Sequence, residues 1–237
     1  MRRDHFHWYS PSLGRDMEGL LFGHAGALVL AFPTSMGRFY EYEDFGMVRA
    51  LERHLEEGWI QLYCVDTVDS ESWYNRSAGP HDRAVRYDQY QGYLMNEVLP
   101  FIHGQNANEF LMTTGCSFGA YHAVNLALKH PEVFSRVVAI SGRYDLSFLV
   151  RDGFDEACYF NSPMAYLPGL SDERYLGPLR DHLQIILCAG GPSDICHQAT
   201  EELASVLRDK AIPHTLDIWD EAWHDWPWWL RMTQKHI

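Results

Sequence analysis

No apolar run in this sequence approaches the ~20 residues that a membrane-spanning helix requires. The start, MRRDHFHWYSPSL, has two arginines but no apolar stretch behind them, so it lacks the pattern of an export signal. Basic residues are scarce as well: 19 Lys and Arg stand against 32 Asp and Glu, a formal charge of -13, and no cluster of cations breaks the excess. Without a phosphate-neutralising surface, nucleic acid is not an expected partner. Cysteine is sparse and dispersed, at Cys64, Cys116, Cys158, Cys188 and Cys196, an odd number with several thiols in or beside apolar runs. That usage fits small core residues in a reducing compartment, and the expectation is a soluble, cytoplasmic protein. Tight Cys or His pairs of the kind that hold a metal are missing too. His5 and His7 form the one close pair and read as part of an N-terminal strand, so no metal and no cofactor are expected. There is no internal repeat, low-complexity tract or linker, and 237 residues are expected to form one domain.

What is present is alternation. Six apolar runs rich in β-formers, at residues 27–32, 60–66, 109–114, 136–141, 183–189 and 214–220, are separated by segments, among them 42–58, 86–104, 117–130 and 197–212, with helical spacing. Several runs are apolar almost continuously, as strands covered on both faces must be. The pattern predicts an α/β fold with a mostly parallel central sheet and helices on both faces. HFHWYS and EGLLFGH add an antiparallel edge at the N-terminus. Between about 143 and 181 the pattern is lost among Gly153, Pro163, Pro168, Gly169, Gly177 and Pro178, which reads as an irregular, lid-like insertion.

Within this frame one stretch carries chemistry. GCSFGA, residues 115–120, follows the third run directly and opens a helical segment. A Gly-x-Ser-x-Gly pattern arises by chance in roughly one chain of this length in ten, so its context decides. Here the serine sits at a strand-to-helix turn, where Gly115 and Gly119 permit an approach that a Cβ would block. The bland alternative is that Ser117 is simply small enough for a helix to pack on a strand. A serine hydroxyl needs a base to become nucleophilic, and the chain supplies one in the required order. LQIILCAGGPSD puts Asp194 after the fifth run, and HTLDIWDEAWHDWPWW puts His224 after the sixth. Asp145 also follows a strand and competes for the role of acid. Asp217 and Asp220 lie in or at the end of a strand, and Asp225 adjoins His224 too closely to face it. Cys116, before the serine, is expected to point into the core, and His122 and His130 to be packing or capping residues.

GCSFGA, GGPSD and WHDWPWW in these settings, with SPSLGRDMEGLLFGHAGALVLAFPTSMG before them, resemble the esterase D-type α/β-hydrolases. That group includes S-formylglutathione hydrolases, feruloyl esterases and mycolyltransferases. The resemblance implies the α/β-hydrolase fold and a serine carboxylesterase acting on a small acyl or aryl ester through Ser117, His224 and Asp194 and an acyl-enzyme. It also implies an oxyanion hole of two backbone N–H groups. One is expected from Phe118 and the other from Thr34 or Ser35, because Pro33 has none to give. The group commonly carries His-Gly where this chain has FPTSMG. Trp73 and Trp223 are candidates for lining an apolar substrate pocket. An acyltransferase or thioesterase on the same scaffold, or a non-catalytic binding protein that keeps the fold, are the competing readings, and assembly into a homo-oligomer is left open.

Overall fold

The computed structural model describes residues 1–150 and 153–237. Eight strands form one sheet: β1 (Arg3–Ser10), β2 (Arg15–Phe22), β3 (Ala27–Phe32), β4 (Ile60–Val65), β5 (Leu111–Cys116), β6 (Arg136–Ile140), β7 (Gln184–Gly190) and β8 (His214–Trp219), in the order β1-β2-β4-β3-β5-β6-β7-β8. β1 and β2 form an antiparallel hairpin, and β2 pairs antiparallel with β4. The remaining pairings are parallel. The predicted mostly parallel sheet with an antiparallel N-terminal edge is therefore what the chain adopts.

Burial on both faces explains the continuous apolar runs. In β3, Leu28, Leu30 and Phe32 enter the core on one face, while Val29 and Ala31 enter the core on the other. β6 divides in the same way, Val137 and Ala139 against Val138 and Ile140. Each Leu, Val, Ile or Phe among them contributes about 1.5–3 kcal/mol by leaving water, so neither face tolerates a polar alternation.

β5 begins and ends two residues later than the sequence suggests. Asn106 accepts the N–H of Asn108 and Asn108 accepts that of Phe110, so side-chain turns hold the approach out of the ladder. At the other end Gly115 and Cys116 stay in register with Ala139 and Ile140. The helical segment expected across residues 42–58 is broken into Glu41–Asp44, Met47–Ala50 and Glu52–Glu56, with Gly46 at φ +83° between the first two. The segment at 86–104 begins earlier, at Pro80, and passes through a π turn at Leu94–Val98 into Leu99–Gln105. Pro100, which lacks an N–H, sits in the first turn after that π turn, where the missing donor does least harm. The segment at 143–181 also holds more structure than its composition suggests. It contains the short helices Glu156–Tyr159, Pro163–Gly169 and Glu173–Asp181, the first and last begun by side-chain caps from Asp155 and Asp172. Two positions of the expected lid, 151 and 152, lie outside the described residues. Among the described residues no helix is long and apolar enough to cross a membrane.

The chain reverses direction across the sheet at β3. β4 lies on one side of it and β5 on the other, so the loops after β3 and β5 leave the same end side by side. That switch point is where an open α/β sheet forms a crevice.

Candidate active site

Ser117 stands between β5 and the helix Phe118–Lys129, with φ +56° and ψ -121°. A residue with a Cβ pays strain of order 1–3 kcal/mol in such a conformation. The turn forces it, because the chain must reverse from strand to helix in one residue. A Cβ on Gly115 would come within 2.2 Å of the Gly119 backbone, and one on Gly119 within 2.5 Å of the Pro33 carbonyl oxygen. The two glycines thus let the helix start touch both its own strand and the loop after β3.

His224 lies in the turn between β8 and the helix Trp226–His236, whose first N–H is accepted by Asp225. Its Nε2 is 2.9 Å from Ser117 Oγ, and its Nδ1 is 2.9 Å from Asp194 Oδ1. Three residues separated by 77 and 30 positions are thereby joined in one hydrogen-bonded chain. Asp194, in the loop after β7, accepts three further hydrogen bonds: from Ser141 Oγ at 2.5 Å, Gly190 N–H at 2.9 Å and Cys196 N–H at 2.9 Å. Burial pushes its carboxyl up, but the donors, His224 and Ser141 foremost, outweigh that and hold it at about 2. An ionised, fully buried carboxylate is what fixes the imidazole with its Nδ1 protonated and its Nε2 facing the serine.

The competing acids do not meet His224. Asp145 is exposed and bonds Ser147. Asp217 holds Lys235, His236 and Trp219, Asp220 is exposed, and Asp225 caps its helix. Cys116 is buried, and burial pushes its thiol well above the ordinary range.

The loop after β3 corrects one expectation. The Thr34 N–H is taken by Glu41 Oε2 at 2.6 Å, and the Thr34 hydroxyl by Glu41 Oε1 at 2.8 Å, so Thr34 has no N–H to offer a ligand. On the other side of Ser35, the Met36 N–H is taken by Asp69 Oδ2 at 2.9 Å. Among the described residues the Ser35 N–H between them has no partner, and neither has the Phe118 N–H at the helix start. Tyr74 spans the two positions. Its hydroxyl meets Ser35 Oγ at 2.9 Å and its ring stands edge-on to Phe118 at 5.2 Å.

The two tryptophans separate. Trp73 is fully buried and packs on Tyr87 at 5.3 Å, because the apolar ring is worth most in the core; it backs a cavity without presenting surface. That cavity, of about 430 Å³, is also lined by Tyr74, Arg83, Phe148 and Leu149. Trp223 is half exposed beside His224, edge-on to Trp228 at 5.3 Å. Glu41, Asp69 and Ser141, which the sequence does not single out, also meet around this site. Only Ser141 carried a signal, as the residue just beyond a parallel strand next to β5.

With this geometry in view, comparison with known proteins is decisive for the family. Residues 41–237 match the family model "Esterase: Putative esterase". The chain belongs to this esterase family. The esterase has the α/β-hydrolase fold. Among solved structures it is similar to a ferulic acid esterase, with a TM-score of 0.79, 16% identity and coverage of 99% of this chain and 95% of that one. It is also similar to an S-formylglutathione hydrolase from Agrobacterium tumefaciens (TM-score 0.75, 14% identity, 99% and 92% coverage). A fluorophosphonate-binding serine hydrolase from Staphylococcus aureus aligns with a TM-score of 0.72 at 14% identity, covering 99% of the esterase and 96% of its own chain. A search of curated proteins returns no match.

Proposed function

We propose that the esterase hydrolyses a small acyl or aryl carboxylic ester by acyl transfer through Ser117. The observation that carries the reading is the continuous pair of 2.9 Å contacts from Ser117 Oγ to His224 and from His224 to Asp194. His224 Nε2 takes the hydroxyl proton as Ser117 Oγ bonds to the ester carbonyl carbon. Asp194 stabilises the imidazolium that forms. The oxyanion is held by the N–H groups of Phe118 and Ser35, and the tetrahedral adduct collapses as His224 returns the proton to the departing alcohol. Water, deprotonated by the same imidazole, then releases the acid and restores the serine.

The proposed acyl or aryl pocket is the 430 Å³ cavity beside Tyr74, a size that suits a small ligand. Phe148 and Leu149, from the 143–181 segment read as a lid, form part of its wall. One continuous sheet supports treating the whole chain as a single domain, and five unpaired, buried thiols support a reducing, cytoplasmic setting.

The test is hydrolysis of p-nitrophenyl acetate and butyrate by wild type and Ser117→Ala, with fluorophosphonate labelling of both. We expect wild type to turn over and be labelled, and Ser117→Ala to lose at least 10³ in kcat and all labelling. Equal rates would overturn the proposal. Added methanol distinguishes the acceptor: acid as the main product supports hydrolysis, and methyl ester as the main product supports a transferase.

A further inference from the structure

We infer that Asp69, held by His122, is a positioning residue that sets the oxyanion-binding loop. This inference rests on the proposed roles of Ser117 and Ser35. Asp69 lies in the connection after β4, outside the hydrogen-bonded line of Ser117, His224 and Asp194, yet it is only 2% exposed and both of its carboxylate oxygens are engaged. Oδ2 accepts the Met36 N–H at 2.9 Å, one residue beyond the proposed donor. Oδ1 is 3.0 Å from His122 Nε2, and His122 Nδ1 is 3.2 Å from the Tyr87 hydroxyl. A carboxylate only accepts, so Nε2 carries the proton; in the neutral ring Nδ1 then accepts from Tyr87.

His122 is itself immobile. It is 1% exposed and sits on the helix that begins at the nucleophile, five residues after Ser117. Its ring packs against Phe118 at 4.9 Å, Tyr87 at 5.5 Å and Phe32 at 5.7 Å. Thus the helix bearing the proposed first donor, Phe118, reaches through His122 and Asp69 to the loop bearing the second. The two donors must stand at a fixed separation to grip one oxyanion, and this path fixes it without touching substrate.

The loop needs such a fixture. Met36 adopts φ +60°, a left-handed conformation that a non-glycine residue keeps only when its surroundings impose it. The Asp69 bond to the Met36 N–H is a constraint on that residue. Glu41 pins Thr34 on the other side of Ser35, and Asp66 pins the next stretch through the Phe39 N–H at 3.2 Å and Arg38 at 2.8 Å. Of these contacts, only the one through Asp69 runs to the nucleophile helix.

The experiment compares wild type, Asp69→Ala, Asp69→Asn and His122→Phe on p-nitrophenyl acetate, with thermal unfolding of each. Asparagine can keep both contacts without the charge. Its carbonyl oxygen meets the Met36 N–H, and its amide donates to His122 Nε2 once the ring proton moves to Nδ1. We expect Asp69→Ala to lose 10- to 100-fold in kcat with KM within threefold, and Asp69→Asn to recover at least tenfold of that loss. His122→Phe, which keeps the ring stacking and removes the bond, should lose at least fivefold in kcat with KM within threefold; it decides the matter if Asp69→Ala does not fold. A rise in KM with kcat intact, wild-type kcat in Asp69→Ala, or Asp69→Asn no better than Asp69→Ala would overturn the inference. Ser117→Ala in the same assay keeps the two levels apart. Its retention of activity defeats the proposed chemistry, whereas its inactivity beside a fully active, folded Asp69→Ala or His122→Phe defeats the positioning role alone.

Discussion

The indole of Trp229 stands edge-on to the imidazole of His224, with ring centroids 4.8 Å apart and planes at 89°. The same indole donates its Nε1–H to Ser141 Oγ at 3.1 Å, and Ser141 donates in turn to Asp194. One buried tryptophan therefore braces both the proposed base and, through a serine, its carboxylate. Trp229→Phe keeps the ring contact and removes the bond to Ser141, and it should lower kcat about three- to tenfold with little change in KM. Steady-state kinetics with p-nitrophenyl butyrate checks this; unchanged kcat would make the tryptophan a packing residue only.

The strained conformation of Ser117 predicts a conflict between activity and stability. Glycine adopts φ +56° without penalty, so Ser117→Gly should abolish activity and raise stability by about 1 kcal/mol, after its greater unfolded-state entropy is subtracted. Urea unfolding monitored by circular dichroism measures it. A less stable glycine variant would show that the turn carries no strain.

The carboxylate of Asp194 should leave a mark on acid denaturation. Its folded value, about 2, lies below the value near 4 of an unfolded chain. Because the folded value is depressed, the stabilisation is complete above about pH 4 and is lost as pH falls towards 2. About two pKa units correspond to roughly 2–3 kcal/mol. Asp194→Asn should therefore show a shallower fall in unfolding free energy between pH 4 and 2 than wild type. Parallel curves would contradict the assignment of that ionisation to Asp194.

Glu41 holds Thr34 through two hydrogen bonds. Its removal in Glu41→Ala should cost about 2 kcal/mol of stability, in line with hydrogen bonds to a charged group. Kcat should fall roughly tenfold as the loop after β3 loosens. Thermal melts and initial rates test the two effects separately, and a stability loss with unaltered kcat would confine Glu41 to folding.

All five cysteines are unpaired and buried. A thiol-reactive disulfide reagent should find none of them at an appreciable rate in the native protein and all five in guanidinium, with activity unaffected by the native treatment. Burial raises the Cys116 thiol, so rapid native labelling there would contradict its place in the core.

The elements that could be read in advance are those whose signal is local. The central strands of the sheet appear as near-continuous apolar runs because both of their faces are covered, and the nucleophile turn appears as two glycines flanking Ser117 because the backbone there leaves no room for a Cβ. The resemblance of GCSFGA, GGPSD and WHDWPWW to an esterase group led to the family that residues 41–237 match. Thr34 illustrates the limit. Nothing in FPTSMG says that its N–H is already taken, since the taker, Glu41, acts through a folded loop. Trp73 illustrates another, because composition does not distinguish an indole that faces a ligand from one wholly inside the core.

What the amino-acid sequence determined by itself is the α/β architecture, the place of the elbow and the order of serine, acid and histidine along the chain. Each follows from side-chain periodicity, backbone sterics or position relative to a strand, properties of a few neighbouring residues. Which carboxylate meets His224, which N–H after β3 is left without a partner, and that Asp69 and His122 bridge the loop to the nucleophile helix were decided only by the tertiary structure. The physical reason is that a hydrogen bond forms over about 3 Å, and residues 53 or 30 positions apart come within that distance only after the sheet has brought their loops to one edge.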